Sequence, residues 1–162
     1  MSRQSDAFET NETPNGTKGA HMAIRKATGV WEGDLKMGKG NVRTESGVLD
    51  AKYTFASRFE DGTGTNPDEL LGAALASCYS MFLANVLSEA GKTPDMVSTE
   101  AHVTLGTKDG SPEISLIALV TKASVPGIDE AKFKEHAEKA KKGCPVSKTL
   151  GGVEITLEAS LT

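Results

Sequence analysis

The 162-residue chain holds two cysteines, one tryptophan and two tyrosines, with aromatics at 5% of the composition. Two cysteines in a chain this long exclude the disulfide-dense secreted scaffold, whose small core is stapled by several bridges. A basic excess is missing too: the formal net charge is −4 with a pI near 5.4, which disfavours nucleic acid as a partner. The apolar stretches read as too interrupted to span a membrane, because Gly72, Ser77, Ser80 and Asn85 break the longest one. The N-terminus shows no charged segment followed by an apolar one, so no secretory leader is expected. A cytoplasmic protein with one domain and one core is the expectation, enlarged if two copies pair.

Residues 1–22 are polar, without hydrophobic periodicity, and rich in Thr, Asn, Ser and Gly. This segment reads as a disordered or non-native extension, and Gly19-Ala20-His21-Met22 as an internal start or a fusion junction. Residues 23–162 then form the single folded domain.

Three strands are expected at about 24–33, 40–48 and 52–59, separated by glycine-bearing turns. After Gly64 the period changes. Asn66 is a good N-cap, Pro67 suits the first helical position, and Glu69 completes an Asn-x-x-Glu capping box. The helix runs to about Ala90, roughly 36 Å at 1.5 Å per residue, and stops at Gly91. It is apolar or small on nearly every side between Leu70 and Leu87, which predicts burial all round. Beyond it, Val97, Thr99, Ala101, Val103 and Leu105 alternate with polar residues, and a more continuously apolar strand covers about 113–124. Asp129 caps an amphipathic helix to about Lys142, a short helix follows Cys144, and Val153–Leu161 alternate as a last strand. The pattern is α+β: a curved antiparallel sheet wrapped around a long buried helix. One sheet of this size covers such a helix poorly, so dimerisation is expected.

Both cysteines sit where a thiol can be tuned. Cys78 lies within the apolar helix, and Cys144 lies just before Pro145 at the start of the short one. Burial alone would raise the Cys78 pKa and leave it inert, so chemistry there needs a nearby cation. Arg58, expected in a mostly apolar strand, is the candidate, since guanidinium keeps its charge when desolvated. Pro145 would aim the free N–H groups of the next helix at the Cys144 sulfur. Each residue also has a plainer reading. Cys78 fits an inert core thiol, Cys144 a helix-start residue, and Arg58 a strand arginine paired with Glu60. Asp68 and Glu69 fit first-turn acids. Zinc held by the two cysteines with His102 and His136 would need a convergence that no spacing signals.

Over about residues 28–161 the chain resembles the OsmC/Ohr family (osmotically inducible protein C and organic hydroperoxide resistance proteins), within it the OsmC branch. The resemblance is carried by Trp31-Glu32-Gly33-Asp34, Gly38-Lys39-Gly40, Thr44-Glu45-Ser46-Gly47-Val48-Leu49, Arg58-Phe59-Glu60, Gly64-Thr65-Asn66-Pro67, Gly72-Ala73-Ala74, Cys78, Glu89-Ala90-Gly91, Val125-Pro126-Gly127-Ile128 and Gly143-Cys144-Pro145-Val146-Ser147. It implies a thiol-dependent peroxidase working as an intertwined homodimer. In that frame Cys78 falls at the peroxidatic cysteine, Cys144 at the resolving cysteine and Arg58 at the activating arginine. Asp68 stands where the family usually has Glu as the arginine's acidic partner, with Glu69 the substitute. The implied cycle forms a Cys78 sulfenic acid, then a Cys78–Cys144 disulfide, which an external dithiol reopens, lipoyl groups among the candidates, with no metal or other cofactor. Leu71, Leu75, Met81 and Phe82 would favour organic hydroperoxides as substrates. Ten residues along one unbroken helix separate Asp68 from Cys78 by about 15 Å, so a site using both is expected to be completed across the dimer. The rivals are a non-catalytic redox-sensing or apolar-ligand-binding dimer and, more remotely, a thioesterase-like enzyme.

Overall fold

The computed structural model describes residues 23–162; the N-terminal extension with His21 lies outside them. The chain runs β1 (Ala27–Glu32), β2 (Lys39–Thr44), β3 (Asp50–Thr54), α1 (Phe55–Phe59), α2 (Pro67–Glu89), β4 (Met96–Lys108), β5 (Ser111–Ser124), α3 (Glu130–Gly143), α4 (Pro145–Thr149) and β6 (Glu154–Leu161). The strands form two three-stranded sheets, β1-β2-β3 and β4-β5-β6.

One pairing departs from the antiparallel expectation. β6 lies parallel to β5, with Ile117 opposite Ile155 and Leu119 opposite Leu157. The chain reaches it through α3 and α4, the helical crossover that a parallel pair requires. The inward residues of β4 alternate as the sequence pattern implies, with Ser98, Glu100, His102 and Thr104 on the exposed side.

The third expected strand breaks off early. At Thr54 the side chain accepts a hydrogen bond from Ser57 N–H at 3.1 Å, while Thr54 N–H donates to Ser57 Oγ at 2.9 Å. This reciprocal cap starts α1 and places Arg58 on a helix instead of a strand. Local side-chain bonding here overrides an apolar pattern that reads equally well as strand.

α2 is capped as expected on one side only. Asn66 Oδ1 accepts from Glu69 N–H at 2.9 Å, but the Glu69 carboxylate takes a bond from Thr65 Oγ1 instead of closing the box. Gly72 lets the helix close on β4, since a Cβ there would meet Ala101 O and Val103 Cγ2 at 3.3 Å. Leu75, Tyr79, Leu83, Val86 and Leu87 of α2 are buried with Ile117, Leu119, Phe133, Ala137 and Ala140. The opposite side, with Ala73, Ala74, Ser77 and Met81, is exposed, so the helix is not buried all round within one protomer. By length and composition α2 would also suffice to cross a membrane, at mean hydropathy 1.7, contrary to the reading of its polar interruptions. One side of it packs on β4, α3 and α4.

Candidate active site

Cys78 and Cys144 come together from 66 positions apart, with their sulfurs at 3.2 Å. Both are free thiols, and about 1.2 Å of further approach would reach disulfide length. α2 presents Cys78 half-buried. Cys144 is fully buried at the corner between α3 and α4. Its N–H donates to Ala140 O at 2.8 Å, ending α3, and its carbonyl accepts from Lys148 N–H at 3.0 Å, starting α4. Pro145 occupies the first helical position, as its fixed φ favours. Gly143 makes the corner possible: a Cβ there would sit 2.5 Å from Phe82 Cε1, so the Phe82 ring packs directly on that backbone.

The two thiols are driven apart electrostatically. Burial pushes the Cys78 thiol up, outweighing the Val146 N–H, and the hydrogen bond and charge of Cys144 add to the rise. Burial also opposes ionisation of Cys144. There the Ser147 N–H, the Cys78 thiol, the Ser147 hydroxyl and the Val146 N–H together outweigh it, holding this thiol below the ordinary value. Within one protomer Cys144 is therefore the more easily ionised of the two thiols. With both thiols protonated, Cys144 Sγ donates to Cys78 Sγ at 3.2 Å.

Arg58 and Asp68 form a second cluster. Arg58 Nε donates to Asp68 Oδ2 at 3.0 Å and Nη2 to Asp68 Oδ1 at 3.1 Å. The fork is held by the loop between α1 and α2: Ser57 Oγ donates to Thr65 O at 2.8 Å, and Asn66 Nδ2 donates to Ser57 O at 3.0 Å. Asp68 is buried and Arg58 partly so, with side chains 11% and 32% exposed. Together with Asn66, Glu69, Ala101, Val103 and Leu105 they line a recess of about 370 Å³. Arg58 pairs with Asp68, not with Glu60 or Glu69, and the short carboxylate reaches it twice.

A family model described as OsmC-like protein matches residues 60–158. The chain belongs to the OsmC-like protein family. It is 51% identical over 138 residues to "Peroxiredoxin OsmC" of Escherichia coli (strain K12), an alignment covering 85% of this chain and 96% of that one. It is 32% identical over 121 residues to "Organic hydroperoxide resistance protein OhrB" of Bacillus subtilis (strain 168), covering 74% and 88%. The crystal structure of OhrB from Bacillus subtilis superposes with a TM-score of 0.67 at 29% identity, covering 83% of this chain and 98% of that one.

For an OsmC-like chain, the structure brings Cys78 to Cys144 and Arg58 to Asp68, but it does not bring the two pairs together within one protomer. α2 is unbroken from Pro67 to Glu89, so Asp68 and Cys78 stay about 15 Å apart along the axis. No hydrogen bond links Arg58 to either sulfur among the described residues. The four apolar candidates are not gathered into one pocket either. Leu75 is fully buried in the core, Met81 is 75% exposed on the outward side, and Leu71 and Phe82 are partly buried against the core. His102 lies at the surface against Glu100, at 3.4 Å, and among the described residues no group of three His, Cys, Asp or Glu is placed to hold a metal. Sequence reasoning missed Ser147, which carries two of the groups acting on Cys144. Its place three residues after a helix-start cysteine, in Cys144-Pro145-Val146-Ser147, was the available signal.

Proposed function

We propose that this chain is a cysteine-based peroxidase that reduces organic hydroperoxides to alcohols in oxidative or osmotic stress defence, as a soluble cytoplasmic homodimer. The observation that carries the reading is the approach of the Cys78 and Cys144 sulfurs to 3.2 Å. The names borne by the relatives, peroxiredoxin and organic hydroperoxide resistance protein, support it.

In the proposed cycle the Cys78 thiolate attacks one peroxide oxygen, the O–O bond breaks, and the alcohol departs with a proton. Cys78 is left as sulfenic acid. The Cys144 thiolate then attacks the Cys78 sulfur, water leaves, and a disulfide forms. A dithiol, with lipoyl groups the favoured class, transfers two electrons by exchange and restores both thiols. These steps need no metal or prosthetic group.

The half-buried Cys78, pushed up by burial, is a poor nucleophile in a lone protomer. A second copy supplies the remedy in this proposal: its Arg58, oriented by its Asp68, would lie against the first copy's Cys78 and favour the thiolate. Two features support such pairing. The Met81 side of α2 is uncovered, and the β1-β2-β3 sheet touches the other elements chiefly through β3 and α1, leaving a groove bounded by Gly29, Val42, Tyr53, Pro67 and Leu70. Covering both with a second copy buries apolar surface that one chain leaves in water. Met81 and Phe82 would then border the site and favour an alkyl or aryl hydroperoxide over hydrogen peroxide.

The test is multiple-turnover consumption of cumene hydroperoxide with excess dihydrolipoamide, in the protein and in Cys78→Ser. Turnover abolished by the substitution supports the peroxidase. Folded, reduced protein that never turns over would favour a redox sensor or apolar-ligand binder using the same thiols.

A further inference from the structure

Among the described residues, Ser147 Oγ is the buried side-chain polar atom left without a hydrogen-bond partner. The residue is 7% exposed, so water does not readily substitute. A hydroxyl placed this way costs stability, and folds rarely keep one without a use. Ser147 is the third residue of α4, three positions after Cys144; in the resting thiol state its hydroxyl bonds no partner, the Cys144 sulfur included, while its electrostatic influence favours the Cys144 thiolate.

We propose that the Ser147 hydroxyl is a donor reserved for the Cys144 thiolate, and that it sets the direction in which the Cys78–Cys144 disulfide is reopened. The inference rests on the thiol-peroxidase reading. A neutral thiol is a weak acceptor and leaves the hydroxyl unsatisfied, whereas a thiolate accepts a strong, charge-assisted bond. The bond therefore strengthens as negative charge arrives on Cys144, which is the condition for lowering a barrier instead of merely stabilising the resting state.

Reduction delivers that charge. A thiolate of the dithiol attacks the Cys78 sulfur, the Cys78–Cys144 bond breaks, and its electron pair leaves with Cys144. A mixed disulfide joins the reductant to Cys78. The second sulfur of the reductant, as thiolate, then attacks the first. This releases Cys78 as a thiolate, and the reductant departs as its own disulfide. The two protons lost by the dithiol are returned to Cys78, to Cys144 or to solvent. Attack at the other sulfur would have to reach Cys144, a fully buried atom, whereas Cys78 is partly exposed.

The titratable groups facing the Cys144 sulfur are Cys78 and Tyr79 on α2, Tyr79 being pushed up by burial. Glu138 on α3 acts on Tyr79 and pairs with Lys141 at 3.1 Å, while Lys142 and Lys148 are exposed. The groups that lower Cys144 are hydrogen-bond donors, none of them a lysine or arginine.

The experiment titrates Cys144 alone, by thiolate absorbance near 240 nm, in a Cys78→Ala background with Ser147, with Ser147→Ala and with Ser147→Thr. The expected result is an apparent pKa raised by about one unit in Ser147→Ala and returned by Ser147→Thr, which keeps the hydroxyl. Where Ser147→Ala does not fold, Ser147→Val against Ser147→Thr makes the same comparison at equal shape. In the protein with both cysteines, Ser147→Ala should slow reduction by dihydrolipoamide about tenfold and leave the single-turnover peroxide step unchanged. Coincident titrations with and without the hydroxyl overturn the proposal. The titration needs no peroxide, so it stands even if the peroxidase reading fails.

Discussion

Arg58 grips both carboxylate oxygens of Asp68, at 3.0 and 3.1 Å, yet in the same protomer it reaches neither thiol. Arg58, on α1 and held to Asp68 at the start of α2, is thus set apart from Cys78 midway along α2, and the proposed remedy is exchange between two copies. Mixing two inactive variants tests it. With Cys78→Ser and Arg58→Ala protomers combined under subunit exchange, a composite arrangement leaves one intact site in each mixed dimer. Statistical mixing then restores about one quarter of wild-type turnover. A site contained in one protomer gives no recovery.

The division of labour between Asp68 and Glu69 is separable. Asp68→Ala leaves the partly buried Arg58 guanidinium without its counter-charge. We expect a loss of about 1–2 kcal/mol in stability and a fall in peroxidase rate of at least about tenfold. Glu69→Ala removes only the Thr65 contact at 2.9 Å and a first-turn charge, so stability should change by less than about 1 kcal/mol. Denaturant melts and steady-state rates of both variants measure this; equal rates would remove Asp68 from the site.

The thiols should titrate in two steps. Absorbance at 240 nm should show a first ionisation below the ordinary thiol value, lost in Cys144→Ser, and a second above it, lost in Cys78→Ser. The signs for stability follow. Cys144 is lowered by folding, so its contribution is present above the unfolded thiol pKa and is lost as pH falls through its folded value. Cys78 is raised in the lone protomer, so its contribution is present below the unfolded pKa and is lost as pH rises through its folded value. Full pairing of the copies should lower the second step, through the partner's Arg58. A second step that is unmoved by Arg58→Ala in the dimer would count against that activation.

Gly143 should tolerate no side chain. In Gly143→Ala the new Cβ would fall 2.5 Å from Phe82 Cε1, so the ring or the α3–α4 corner must move. A loss of about 1–3 kcal/mol is expected from overpacking, with slower disulfide formation after one equivalent of peroxide because Cys144 is the next residue. Stability like wild type together with unchanged disulfide formation would show that the corner yields freely.

Much of this molecule was written locally. Asn66-Pro67 and Gly91 bound α2, Asp129 and Gly143 bound α3, and the alternation of Val97 to Leu105 marked the buried side of β4. Such features depend on near neighbours along the chain, and their physics is complete within a few residues. The two thiols stood out for the same reason, since each sits in a distinctive short context. The strand expected at 52–59 failed because Thr54 and Ser57 satisfy each other's backbone groups, a local competition that hydrophobic patterning does not register.

Distance was what tertiary structure alone decided. That Cys144 approaches Cys78 to 3.2 Å, that Asp68 and not Glu69 receives Arg58, and that β6 runs parallel to β5 depend on how α2, α3 and the sheet pack. Leu75 and Met81 make the contrast plainest. Six positions apart in one apolar helix, they differ from fully buried to 75% exposed, because β4, α3 and α4 cover only one side of it. Residue type determined that these side chains seek apolar contact; which of them finds it within its own chain was settled by the packing.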